Sequence, residues 1–161
     1  MRSRITPERE RIRLIIVGVA IALMFVAVLN RSCHAPTDPR AGGFQALQLT
    51  QAKERAQLEE KFVVLEFYAD WCSYCRRQRE ETWPDPEVQA WLTQHAVPIR
   101  VDVDQEKQLA REFDVRSLPM TLVLTGSGAE IARLKGFHSA QDFLRRARIL
   151  SVGQAESVKA E

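Results

Sequence analysis

Phe62 to Cys75 reads FVVLEFYADWCSYC, an apolar run that ends in two cysteines three positions apart. Glu66 is the one charge between Phe62 and Tyr68, so this run reads as a β-strand covered on both faces. The cysteines follow directly, which places Cys72 at the start of the next helix and Cys75 one turn inside it. A helix N-terminus offers unpaired backbone N–H groups and the positive end of the helix dipole, and both favour thiolate over thiol. Arg76 and Arg77 add positive potential in the same turn. Cys72 is therefore expected to be an exposed attacking thiolate, and Cys75 the inner thiol that resolves a mixed disulfide. Two other uses of the pair are weaker. A structural disulfide over so short a loop removes little chain entropy. A zinc site needs four ligands, and His95, His138 and the distant Cys33-His34 supply no second pair at ligand spacing.

Around this segment the pattern alternates between helix and strand. Apolar residues at helical spacing (Phe44, Leu47, Ala52, Ala56) predict an amphipathic helix from Phe44 to about Glu60. Asp85-Pro86-Glu87 has the order of an N-cap, a first-turn proline and a first-turn acid, and opens a helix to about Gln94. Val97 to Val103 alternates as a strand does, and Gln105 to Phe113 reads as a helix. Thr121 to Thr125 and Glu130 to Leu134 flank Gly126-Ser127-Gly128 as a hairpin. Ser139 and Asp142 resemble a capping box for a last helix to about Leu150. Residues 151–161 read as a polar, frayed tail. The order predicts a mixed α/β domain over 44–150, with helices covering a central sheet.

The N-terminal part has a different character. Of 23 basic and 21 acidic residues, five arginines and two glutamates lie in the first thirteen positions, leaving 18 basic and 19 acidic in the rest. The body thus offers no broad basic surface, and nucleic-acid binding is set aside. Residues 1–13 form a basic arm, and Leu14 to Leu29 is an unbroken apolar or glycine run. Counted from Ile12 it spans about 27 Å at ~1.5 Å per residue, close to the ~30 Å hydrocarbon core of a bilayer. A transmembrane anchor is expected at 14–29, uncleaved, because Pro36 is an unfavourable residue after the Cys33-His34-Ala35 candidate cleavage site. The arginines before it place the N-terminus in the cytoplasm and the body outside, in an oxidising compartment. Residues 30–43, with two prolines and two glycines, read as a linker. Cys33, just beyond the span, lacks a lipobox-like context.

FVVLEFYADWCSYC resembles the active-site strand and turn of the thioredoxin superfamily. Within it the nearest likeness is to the C-terminal periplasmic domains of the DsbD membrane electron carriers, whose YADWCxxC pattern recurs at Tyr68 to Cys75. Asp85 to Gln89, Val101 to Asp104, Ser117-Leu118-Pro119 and Gly136-Phe137 resemble later family motifs in the family's order, over roughly residues 45–148. The resemblance implies a thioredoxin-like fold and a thiol:disulfide oxidoreductase, most simply a reductant. It implies that Pro119 is a cis-proline facing the disulfide and that Leu118 pairs by its backbone with an extended partner segment. Trp71 is expected to pack and shape the loop at the binding face. Glu66 matches a buried acid that helps move the proton of the inner thiol, and burial should raise its pKa. No cofactor is expected beyond the Cys72–Cys75 disulfide. The central dipeptide is Ser73-Tyr74 where common thioredoxins have Gly-Pro, and Met120 replaces a frequent threonine. DsbD carriers also bear an eight-helix membrane domain and another periplasmic domain, which these residues do not include. Electrons are therefore expected to pass between protein thiol or disulfide partners and a separate membrane or periplasmic carrier. The competing reading is a redox-inert thioredoxin-like peptide-binding module or metallochaperone.

Overall fold

A computed structural model describes residues 43–158, with side chains through Ser151. The basic arm at 1–13, the expected anchor at 14–29, Cys33 and the linker to residue 42 lie outside the described residues. Among the described residues, no helix is long and apolar enough to cross a membrane.

The chain runs α1 (Leu49–Leu58), β1 (Phe62–Tyr68), α2 (Ser73–Glu81), α3 (Pro86–His95), β2 (Ala96–Asp102), α4 (Lys107–Glu112), β3 (Met120–Leu124), β4 (Glu130–Lys135) and α5 (Ala140–Val158). The strands form a mixed sheet in the order β2-β1-β3-β4. β1 lies parallel to β2 and antiparallel to β3, and β3 and β4 form an antiparallel hairpin. Helix α2 thus leaves the end of a central strand, which fixes where its first turn, and the cysteines, can stand.

Alternation along β1 divides the core. Val63, Leu65 and Phe67 join Val97, Ile99, Leu122 and Leu124 beneath Ala52 and Ala56 of α1 and Ala110 of α4. Phe62 and Val64 face the other way, onto Val88, Trp91 and Leu92 of α3 and Phe143, Leu144 and Ala147 of α5. Trp83, fully buried between α2 and α3, meets Phe44 at 5.0 Å and Phe143 at 5.2 Å between ring centroids, both edge-on. Aromatic pairs favour that geometry, and each such side chain buries a large apolar area. α3 opens on Asp85, whose Oδ1 accepts from the N–H of Glu87 at 2.9 Å and of Val88 at 3.2 Å. In the hairpin turn Gly128 adopts φ +96°, and a Cβ on Gly126 would come within 2.8 Å of the Gln57 backbone, so both positions suit glycine.

Three boundaries correct the sequence expectations. α1 begins at Leu49 and not at Phe44: the Phe44 ring is drawn into the core against Trp83, and the N–H of Gln45 bonds the carbonyl of Pro98 in β2 at 2.8 Å. α4 begins at Lys107 and not at Gln105, because the N–H groups of Gln105 and Glu106 both turn back to the carbonyl of Asp102. α5 continues past Leu150 to Val158, where a polar tail was expected, and residues 159–161 lie outside the described residues.

Candidate active site

Cys72 and Cys75 form a disulfide with 5.2 Å between their Cα atoms. Cys72 is the N-cap of α2: its backbone is extended and its Sγ accepts the N–H of Cys75 at 3.1 Å. A side-chain acceptor at an N-cap satisfies one of the helix's free donors, and here the acceptor is the sulfur that would carry a thiolate charge. Cys75 lies in the first helical turn. The exposures, 7% for Cys72 and 2% for Cys75, correct the expectation of an exposed first cysteine. Ala69, Tyr68, Val103 and Leu118 close around both sulfurs, leaving Cys72 as part of a groove wall.

That groove has a volume of about 510 Å³, and Trp71, Tyr74, Val115, Arg116 and Leu118 are among its lining residues. The Leu118–Pro119 peptide bond is cis, and the carbonyl of Pro119 accepts from the N–H of Gly136 at 2.8 Å. Trp71 is not the packed residue expected: it is 69% exposed, held only at its edge by an indole N–H donated to Asp104 Oδ2 at 2.8 Å. Tyr74, from the central dipeptide, is 60% exposed beside it. Two exposed aromatics at a groove mouth offer apolar contact area to a partner at low entropic cost.

Beneath α2, one turn beyond Cys75, the site turns polar. Glu66 is fully buried in the centre of β1, which excludes a solvated edge position. Its Oε2 accepts from Arg100 Nε at 2.5 Å, and its Oε1 accepts from the Trp83 indole at 2.9 Å and from the Gln78 amide at 3.3 Å. Burial pushes the Glu66 carboxyl above its ordinary range, against the opposing pull first of the Arg100 charge and then of the donated hydrogens. Arg100 stands directly opposite Glu66 in the β1–β2 register, with its guanidinium 4.1 Å from the centroid of the Tyr68 ring. Burial also raises the Tyr68 phenol.

The sequence reading singled out Cys72, Cys75, Glu66, Trp71, Leu118 and Pro119. The structure brings Cys72, Trp71 and Leu118 to the lining of one groove, clusters Cys75 with Cys72, places Pro119 in the cis bond after Leu118, and bonds Glu66 to Gln78 of the cysteine-bearing helix. The sequence reading missed Arg100, Gln78 and Trp83. A lone arginine in the middle of a strand otherwise apolar from Ala96 to Val101 was the available signal for the first. Trp83 and Gln78 gave none, since a tryptophan before a proline and a glutamine in a charged helix have many ordinary uses.

Residues 49–148 match the family described as thioredoxin-like domain. Among curated proteins, the chain is 37% identical over 121 residues to the thiol:disulfide interchange protein DsbD of Photorhabdus laumondii, covering 72% of this chain and 20% of that protein. The chain therefore spans about a fifth of the length of that relative. Among solved structures, a thioredoxin from Thermus thermophilus is similar with a TM-score of 0.59 at 28% identity, over 66% of this chain and 85% of that one. The reduced DsbD C-terminal domain of Neisseria meningitidis is similar with a TM-score of 0.55 at 29% identity, over 62% and 91% respectively.

Proposed function

This chain belongs to the thioredoxin-like domain family, and on that premise we propose that it is a thiol:disulfide oxidoreductase. We assign it the reduction of protein disulfides outside the cytoplasm, tethered to a membrane through residues 14–29. The observation that carries the chemistry is Cys72 at the head of α2, its sulfur accepting a helix N–H and the residue lining a groove together with Leu118, which precedes a cis-proline. The likeness to DsbD supports the reductive direction, and the arginine-rich arm before the apolar run supports the location.

In the reduced state the Cys72 thiolate attacks one sulfur of a partner disulfide lying in the groove. A mixed disulfide forms, and the other partner sulfur leaves as a thiolate that takes a proton from water. Cys75 then gives its proton to Glu66 and attacks Cys72 Sγ, which releases the second partner thiolate and closes the Cys72–Cys75 disulfide. Two electrons pass to the partner. A separate dithiol carrier returns the pair to its reduced form. Trp71 and Leu118 hold the partner segment against the sulfurs, and Pro119 shapes the loop opposite them.

Insulin reduction by the full chain in detergent micelles, with a small dithiol as donor, tests this. Turnover that disappears in Cys72→Ser is the expected result, and equal rates in the two proteins would end the oxidoreductase reading. For the location, alkaline phosphatase fused after residue 161 should be active. A silent phosphatase there, with an active cytoplasmic reporter at the same site, reverses the topology.

A further inference from the structure

The partners of Glu66 are all donors: an indole N–H, a guanidinium and a side-chain amide. The amide is the one whose orientation the fold has to set, since a glutamine can present either its oxygen or its nitrogen. Gln78 is 1% exposed, one turn beyond Cys75 on the same face of α2. Its Oε1 accepts the backbone N–H of His138, in the turn between β4 and α5, at 3.1 Å. A backbone N–H can only donate, so the atom facing it is the oxygen and the NH2 group must face inward. There its two hydrogens go to Glu66 Oε1 at 3.3 Å and to Thr121 Oγ1 of β3 at 3.2 Å. The turn itself is held independently, because Thr82 Oγ1 donates to the His138 carbonyl at 2.6 Å.

We propose that Gln78 is a positioning residue for the redox step: an amide locked by the His138 backbone so that it presents only hydrogens to Glu66, holding that side chain as a carboxylate ready to accept the Cys75 proton. A locked donor stabilises the ionised acid most and offers no acceptor for the O–H of the protonated one. The other titratable or charged groups interacting with this acid are Arg100 of β2 and Tyr68 of β1. The consequence for the reaction rests on the reading of Glu66 as proton acceptor; the clamp itself does not.

The experiment uses the full chain in micelles, reduced, with 13C-labelled glutamate, following the Glu66 δ-carbon across pH; that resonance is identified by its loss in Glu66→Gln. In Gln78→Met the titration midpoint moves to higher pH. In Thr82→Val, which removes the turn's other tie and leaves the Gln78–His138 bond in place, it stays. An unmoved midpoint in Gln78→Met, or equal movement in both variants, overturns the proposal. Should Gln78→Met not fold, Gln78→Asn serves, its amide too short by one methylene to reach both His138 and Glu66; it gives the same upward movement, and its failure to do so also overturns the clamp. A second readout is the rate of mixed-disulfide release against pH, expected to fall on the order of tenfold near pH 6 in Gln78→Met and to match wild type above pH 9. Movement of the carboxyl titration without any change in that profile upholds the clamp and removes Glu66 from the proton transfer.

Discussion

The two faces of β1 are built from the same alternation and put to different ends. On the α1 and α4 side, Val63, Leu65 and Phe67 are fully buried in a cluster of aliphatic and aromatic neighbours. On the α2 side the alternation begins in the same way with Phe62 and Val64, then places Glu66 under the helix that carries the cysteines. A charge with three hydrogen-bond partners occupies a position where an aliphatic side chain would pack with less cost. The difference shows which half of the sheet is scaffold. One face is packed with apolar side chains; the other keeps an ionisable group beneath the helix that carries the cysteines.

The sharpest test of that division is at the cysteines. Cys75→Ser should accumulate mixed disulfides with partner proteins, visible as adducts on non-reducing gels, and Cys72→Ser should lose both adducts and turnover. Adducts gathering on Cys72→Ser would reverse the two roles and break the link between the α2 N-terminus and attack. Next in size is a change on the scaffold face. Leu65→Ala should cost about 2–5 kcal/mol of unfolding free energy in denaturant titration, while the Cys72 thiol of the folded protein keeps its acidity. A large change in thiol acidity in that variant would mean that the two faces are not separate.

Glu66→Gln gives the complementary contrast. With the carboxyl raised in the folded protein, its contribution to stability is fully present below the ordinary carboxyl range and is lost as pH rises through the folded-state titration. The melting temperature of Glu66→Gln should therefore gain on wild type as pH rises above the ordinary carboxyl range, and a variant that falls further behind as pH rises contradicts the assignment. The smallest effect is expected at His138. Burial lowers its imidazole in the folded state, so its contribution is present above about pH 6.5 and lost on acidification. His138→Gln should flatten the acid side of the stability profile by a small amount, and an unchanged slope would argue that the imidazole is not held neutral.

What the sequence disclosed follows the range of the interactions. β1, the Asp85 cap and the hairpin at Gly126 to Gly128 depend on residues within a few positions of one another, and each was read with nearly its true limits. The start of α1 was misplaced because Phe44 answers to Trp83, across the core, more than to its own helical periodicity. Of the groove lining, the resemblance singled out Cys72, Trp71 and Leu118. The acid's companions were not legible, because Gln78, Trp83 and Arg100 stand 12, 17 and 34 positions from Glu66. Only the register that sets Arg100 across from Glu66 brings the last of these into view.

The extended segment before α1 has a consequence beyond positioning Phe44. β2 is an outer strand of the sheet, and such strands invite pairing with other chains, the first step toward aggregation. Here the chain answers that hazard itself. The N–H of Gln45 occupies the Pro98 carbonyl, and Pro98 contributes no backbone donor of its own. At the opposite border β4 carries Glu130, Arg133 and Lys135 among its six residues, so a neighbour approaching that side meets charge before it meets backbone. Extended segments of other proteins are thereby discouraged from pairing along either border of the sheet.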